Sequence, residues 1–165
     1  MLKYTDYKVV FQEIPDEITL AINISGCPVG CPMCHSSYLS EDIGTELTGS
    51  ELMRLVKLNK GITCIALMGG DAEPQEVSDL LVGYKSYMAF WGTDERTLKV
   101  AWYSGRELLP NGYEFFDYIK LGPYRSEFGP LNNPHTNQRL YKINIVDDEP
   151  KLEDITYKFW IKNAE

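Results

Sequence analysis

"ITLAINISGCPVGCPMCH" (residues 18–35) joins two unlike pieces. Residues 18–26 are a nearly continuous apolar run ending in glycine, the pattern of a strand buried on both faces. Immediately after it, Cys27, Cys31 and Cys34 stand in C-x3-C-x2-C spacing. Strands buried on both faces belong to parallel sheets, whose ligands gather in the loops after the strands' carboxyl ends. The cysteines occupy the first such loop.

The pattern outward from this point supports that placement. "TGSELMRLVKLN" (48–59) sets Thr48 and Glu51 at capping-box spacing, with Leu52, Leu55 and Val56 recurring at helical intervals. "GITCIALMGG" (61–70) is a second buried strand that runs into a double glycine. "EPQEVSDLLVGYKSYMAF" (73–90) opens with Pro74 at a first helical position, and Val77, Leu80, Leu81, Tyr84 and Met88 fall on one face. Further strands are expected at 96–105, 115–124 and 140–146, with a Gly-, Pro- and Asn-rich loop over 122–139. Strand–helix alternation implies right-handed crossovers and an α/β fold with a parallel-sheet core. At 165 residues without repeats or linkers, one domain spanning 1–165 is expected.

Bulk composition excludes some functions. Sixteen Lys and Arg against twenty-four Asp and Glu give a net charge of −8, unsuited to a phosphate-backbone binder. No apolar run reaches the ~18 residues of a membrane span. The first residues, "MLKYTDYKVVFQE", show no apolar h-region or cleavage site, so a cytoplasmic, reducing setting is expected. In that setting closely spaced cysteines bind metal or do redox chemistry more often than they form structural disulfides.

Three chemistries compete for the thiols. Structural zinc needs four ligands, and His35, adjacent to Cys34, is poorly placed to converge with it. A Cys31–Cys34 dithiol is a redox motif, but leaves Cys27 unexplained. An iron–sulfur cluster uses all three and leaves one iron of a cubane free for a small molecule. Gly26 and Gly30 let the loop wrap closely, and Pro28 and Pro32 stiffen it. Cys64 lies inside an apolar strand and reads as a small buried hydrophobe.

The cysteine loop after a first strand resembles the signature of radical S-adenosylmethionine (SAM) enzymes. "MGGD" (68–71) is similar to their glycine-rich motif. "GCPVGCPMCHSSYL", "MGGDAEPQEV", "YSGRE" (103–107), "FDYIKLGPYR" (116–125) and "TNQRLYKI" (136–143) together resemble the activating-protein family of anaerobic (class III) ribonucleotide reductase. The likeness spans roughly residues 15–145. It departs from the broader superfamily in having Met33 where an aromatic often precedes the third cysteine, and Asp71 where Glu is common.

The resemblance implies a shortened, incomplete (β/α) barrel whose open side admits a folded protein substrate. Cys27, Cys31 and Cys34 would hold a [4Fe-4S] cluster. Met33, Cys34, His35, Gly69, Gly70, Asp71 and Ser104 would line the SAM site, with the glycine carbonyls open to the ligand and Asp71 offsetting its ammonium. The implied reaction is reductive SAM cleavage and glycyl-radical formation on the reductase, with a low-potential donor such as flavodoxin or ferredoxin and room for a homodimer. No general base is needed; His35 and His135 form no dyad. Arg125, Asn137, Gln138 and Arg139 lie in loops that would open on the active face, while Lys120, within a strand, is expected to snorkel outward.

Overall fold

The computed structural model of the protein describes residues 1–92 and 98–161. Its frame is one eight-stranded sheet in the order β3-β1-β2-β4-β5-β6-β7-β8. The strands are β1 (Lys3–Val10), β2 (Thr19–Ile24), β3 (Thr45–Glu46), β4 (Cys64–Met68), β5 (Lys99–Tyr103), β6 (Tyr118–Leu121), β7 (Arg139–Val146) and β8 (Glu149–Asp154). The centre, β2-β4-β5-β6, is parallel. Antiparallel strands extend it on both sides. The sheet is open rather than closed into a barrel.

Two of these strands escape the apolar pattern. β1, "KYTDYKVV", and β8, "EPKLED", lie toward the sheet's edges, carry charge, and are largely exposed or half-buried. Pro150 and the charges of β8 leave its outer edge a poor template for another strand. The expected strand at 96–105 is found as Lys99–Tyr103, and residues 96 and 97 lie outside the described part.

Helices α1 (Gly49–Leu58) and α2 (Pro74–Trp91) supply the crossovers. Thr48 caps α1 by accepting from the Glu51 N–H at 3.1 Å. The Glu51 carboxylate turns away from the cap to Arg54 and Tyr4, so the box is half-made. Pro74 opens α2 as expected. Leu52 and Leu55 of α1 and Val77, Leu81 and Tyr84 of α2 bury themselves against Leu20, Ile22, Ile24, Ile65, Leu67, Val100 and Trp102. That is one face of the sheet.

The opposite face begins with small residues. Ala21, Ala66 and Ala101 sit side by side in register, flanked by Tyr118. Ile14, Leu140 and Ile155 cover this row, with Phe159 of the short helix α3 (Lys158–Ile161) against it. Two residues further along each strand, toward the carboxyl ends, come Asn23, Met68, Tyr103 and Lys120, again in register. Side chains two apart share a face, so this second row underlies the loops that carry the cysteines.

Among the described residues, no helix is long and apolar enough to cross a membrane.

Candidate functional site

The loop after β2 is shaped by left-handed backbone at Gly26 (φ 75°), Gly30 (φ 63°) and Met33 (φ 58°). Glycine adopts this conformation freely and methionine rarely does. The loop is tied down at its ends: the Gly26 and Cys27 N–H groups donate to the Glu41 and Leu39 carbonyls at 3.0 and 2.8 Å. Within it, Cys34 N–H donates to Cys31 O at 3.2 Å. The Ser36 N–H points at Cys34 Sγ, 3.4 Å away, as a donor to a thiolate would. Met33 is 79% exposed.

Cys27, Cys31 and Cys34 are free thiols, each half-buried. Burial pushes the Cys27 thiol up, and the charges of Asp71, Cys31 and Cys34 act in the same direction against the Val29 N–H. The three sulfurs therefore share one electrostatic neighbourhood. They do not form a ready-made shell: among the described residues, no three His, Cys, Asp or Glu side chains converge as they would on a metal ion. Cys64 lies apart, fully buried in β4, its thiol pushed far up by desolvation.

The loop after β4 gives the glycines reasons the sequence alone did not. Gly69 (φ 99°) approaches the Ile24 carbonyl so closely that a Cβ would stand 3.0 Å from its oxygen. At Gly70 (φ 91°), a Cβ would stand 2.7 Å from Val77 Cγ2. Their carbonyls, expected to be open to a ligand, are already used. Gly69 O accepts from the Trp102 indole at 2.7 Å, and Gly70 O from the Glu73 N–H at 3.0 Å.

Asp71 is 2% exposed and fully engaged. Its Oδ1 accepts from Ser104 Oγ at 2.5 Å and its Oδ2 from the Gly105 N–H at 2.9 Å. Its carbonyl accepts from the Arg106 guanidinium at 2.6 and 3.2 Å. Ser104, 1% exposed, in turn accepts from the Arg106 N–H at 3.0 Å. The expected ammonium-binding carboxylate is thus a clamp joining the loops after β4 and β5. The cysteine loop rests on that clamp. A Cβ at Gly105 would stand 2.8 Å from Val29 Cγ2, between Cys27 and Cys31 in the chain.

The loop after β6 meets the same neighbourhood. Tyr124 lies against His35, ring centroids 6.0 Å apart. Asn137 donates to Pro123 O at 2.9 Å, while its Oδ1 is buried without a partner among the described residues. Arg139 turns back on the Thr136 and Gln138 carbonyls and toward Asp154, and Arg125 pairs with Glu107. Gln138 is buried. His135 and His35 are far apart in the chain, and His35's ring contact is with Tyr124.

Lys120 departs from its expected outward course. It shares the inward face with Tyr118 and is 8% exposed. Its ammonium donates to Gly122 O at 2.6 Å and Ser104 O at 3.4 Å. Desolvation pulls it down to about 8, against the negative charges of Asp71, Cys31, Cys27 and Cys34. Strand alternation puts Lys120 on the face of Tyr118, but that this face is covered follows only from the packing of β6.

No family model matches the chain, and no curated protein or solved structure matches it.

Proposed function

We propose that the protein is an iron–sulfur radical SAM activase that generates a glycyl radical on anaerobic ribonucleotide reductase, and that its open sheet is a shortened, incomplete radical SAM barrel. The observation that carries this reading is the set of three free, half-buried thiols in the loop after the first parallel strand, resting on the Asp71–Ser104–Gly105 clamp. Thiolates are the ordinary ligands of iron–sulfur clusters, so Cys27, Cys31 and Cys34 suit a [4Fe-4S] cluster in kind and in spacing along the chain, and coordination would have to draw their side chains together. Bound there, the cluster would supply the electron that splits the SAM sulfonium into methionine and a 5′-deoxyadenosyl radical, which takes the α-hydrogen of a reductase glycine.

The chain's own part is positioning. Gly26, Gly30 and the left-handed Met33 bend the loop, and the Ser36 N–H points at the Cys34 sulfur. Asp71 and Ser104 hold the neighbouring loops at a fixed separation, and Gly105 leaves room for Val29. Met33 and His35, both exposed, border the third cysteine, on the side from which a nucleotide or a partner's loop would come. The electron would come from a low-potential donor of the flavodoxin or ferredoxin kind.

The test is anaerobic. The reconstituted protein, reduced and given SAM, should release methionine and 5′-deoxyadenosine in equal amounts. Replacing any one of Cys27, Cys31 or Cys34 by Ala should abolish both the brown colour and the release. Cleavage surviving on two thiols would refute the assignment, and stoichiometric zinc in a colourless protein would make the loop a zinc module. Mixing with anaerobic reductase should add a glycyl doublet in the electron paramagnetic resonance spectrum.

A further inference from the structure

A buried ammonium is expensive to keep unless something negative repays it. Lys120 has little protein charge to do so: its two acceptors are neutral carbonyls, and Asp71 is already bonded to Ser104 and Gly105. Two hydrogen bonds also leave one of its three N–H groups without an acceptor among the described residues.

Its position is not arbitrary. The Ser104 carbonyl that it contacts precedes Gly105, on which Val29 of the cysteine loop rests. The Gly122 carbonyl lies two residues before Tyr124, which packs on His35. Lys120 therefore sits between two points where the cysteine loop meets the sheet, and Cys31, Cys27 and Cys34 are near enough that charge on their sulfurs would raise it, after Asp71.

We propose that Lys120 is the built-in counter-charge of the cysteine loop: its ammonium, held on the Gly122 and Ser104 carbonyls beneath that loop, offsets the negative charge carried by three metal-bound thiolates and sets the reduction potential of the group they hold. This inference rests on the iron–sulfur reading of the loop. The physical argument is one of sign. Three thiolates on a cubane with a 2+ core give a net charge of −1, and one-electron reduction makes it −2. A nearby fixed positive charge stabilises the reduced form more than the oxidised one, and burial keeps water from screening it. Lys120 is thus a positioning and tuning residue, with no bond made or broken at its nitrogen.

The experiment compares wild type, Lys120→Met and Lys120→Arg, each reconstituted anaerobically with iron and sulfide and titrated to its midpoint potential without SAM. Lys120→Met keeps the length and removes the charge. It should retain wild-type iron and sulfide, with an equilibrium constant for reduction about tenfold lower, a shift of about 59 mV to more negative potential for one electron. Lys120→Arg should stay near wild type. An unchanged potential in a cluster-loaded Lys120→Met protein would overturn the inference and leave the iron–sulfur reading standing. If Lys120→Met holds no cluster, Lys120→Arg decides: retention at wild-type potential supports a charge role, and loss in both means that the position acts through shape. A wild-type protein that takes up neither iron nor sulfide would instead sink the underlying reading.

Discussion

Asp71 shows how much of this site is decided by single polar atoms. Both carboxylate oxygens are used by groups of one neighbouring loop, and the residue is almost wholly inaccessible. Asp71→Asn keeps the shape but removes the charge and one acceptor: with the amide oxygen kept on the Gly105 N–H, the amide nitrogen faces Ser104 Oγ and the Ser104 hydroxyl hydrogen loses its acceptor. The expected cost is about 1–3 kcal/mol, read as a lower urea midpoint, and SAM affinity should fall with it because the loops beneath the cysteines lose their tie. Unchanged stability would mean that the clamp is dispensable. Ser104→Ala removes the smaller partner and should have the milder effect of the two.

At the scale of elements, the strand–loop–helix units were legible because their punctuation is chemical. An apolar run that stops at Gly26, two residues past the end of β2, a cap at Thr48 and a proline at position 74 mark the boundaries. Thr48→Ala should cost about 1 kcal/mol of stability, since the Glu51 N–H then loses its acceptor and Glu51 itself does not return to the cap. Gly105→Ala tests the contact between loops: the new methyl would stand 2.8 Å from Val29. It should weaken iron binding by displacing the cysteine loop while leaving the sheet folded, checked by iron content beside circular dichroism. What stayed illegible has physical causes. β1 and β8 mix charge with apolar residues because they flank the sheet instead of filling it. The glycine carbonyls read as open because their partners, Trp102 and Glu73, are a matter of tertiary packing or of local turn geometry that a motif does not record. The inward course of Lys120 depended on knowing that both faces of β6 are covered.

Across the whole molecule, the two ends of the parallel strands do different work. At the amino ends, nearly buried Glu17 accepts from Lys99 and Tyr118 on Oε1 and from Thr63 on Oε2, binding β4, β5 and β6 to the segment before β2. Burial pushes its carboxyl up, but the bonds from Lys99, Thr63 and Tyr118 outweigh this and hold it below its ordinary 4.5. A depressed carboxyl contributes stability above its unfolded value and loses it as pH falls through the folded one. Thermal stability should therefore decline below about pH 4.5, and Glu17→Gln should flatten that decline; an equal acid slope in both proteins would remove Glu17 from the account. At the carboxyl ends, the cysteines, clamp and buried lysine are drawn together by the four parallel strands β2, β4, β5 and β6 and their loops. The central claim is that this end holds an iron–sulfur cluster with one corner open to SAM. Its most direct measurement is the electron paramagnetic resonance spectrum of the reduced, reconstituted protein before and after SAM is added. The account predicts a cluster signal whose shape changes when the nucleotide binds, and identical spectra at saturating SAM would contradict it.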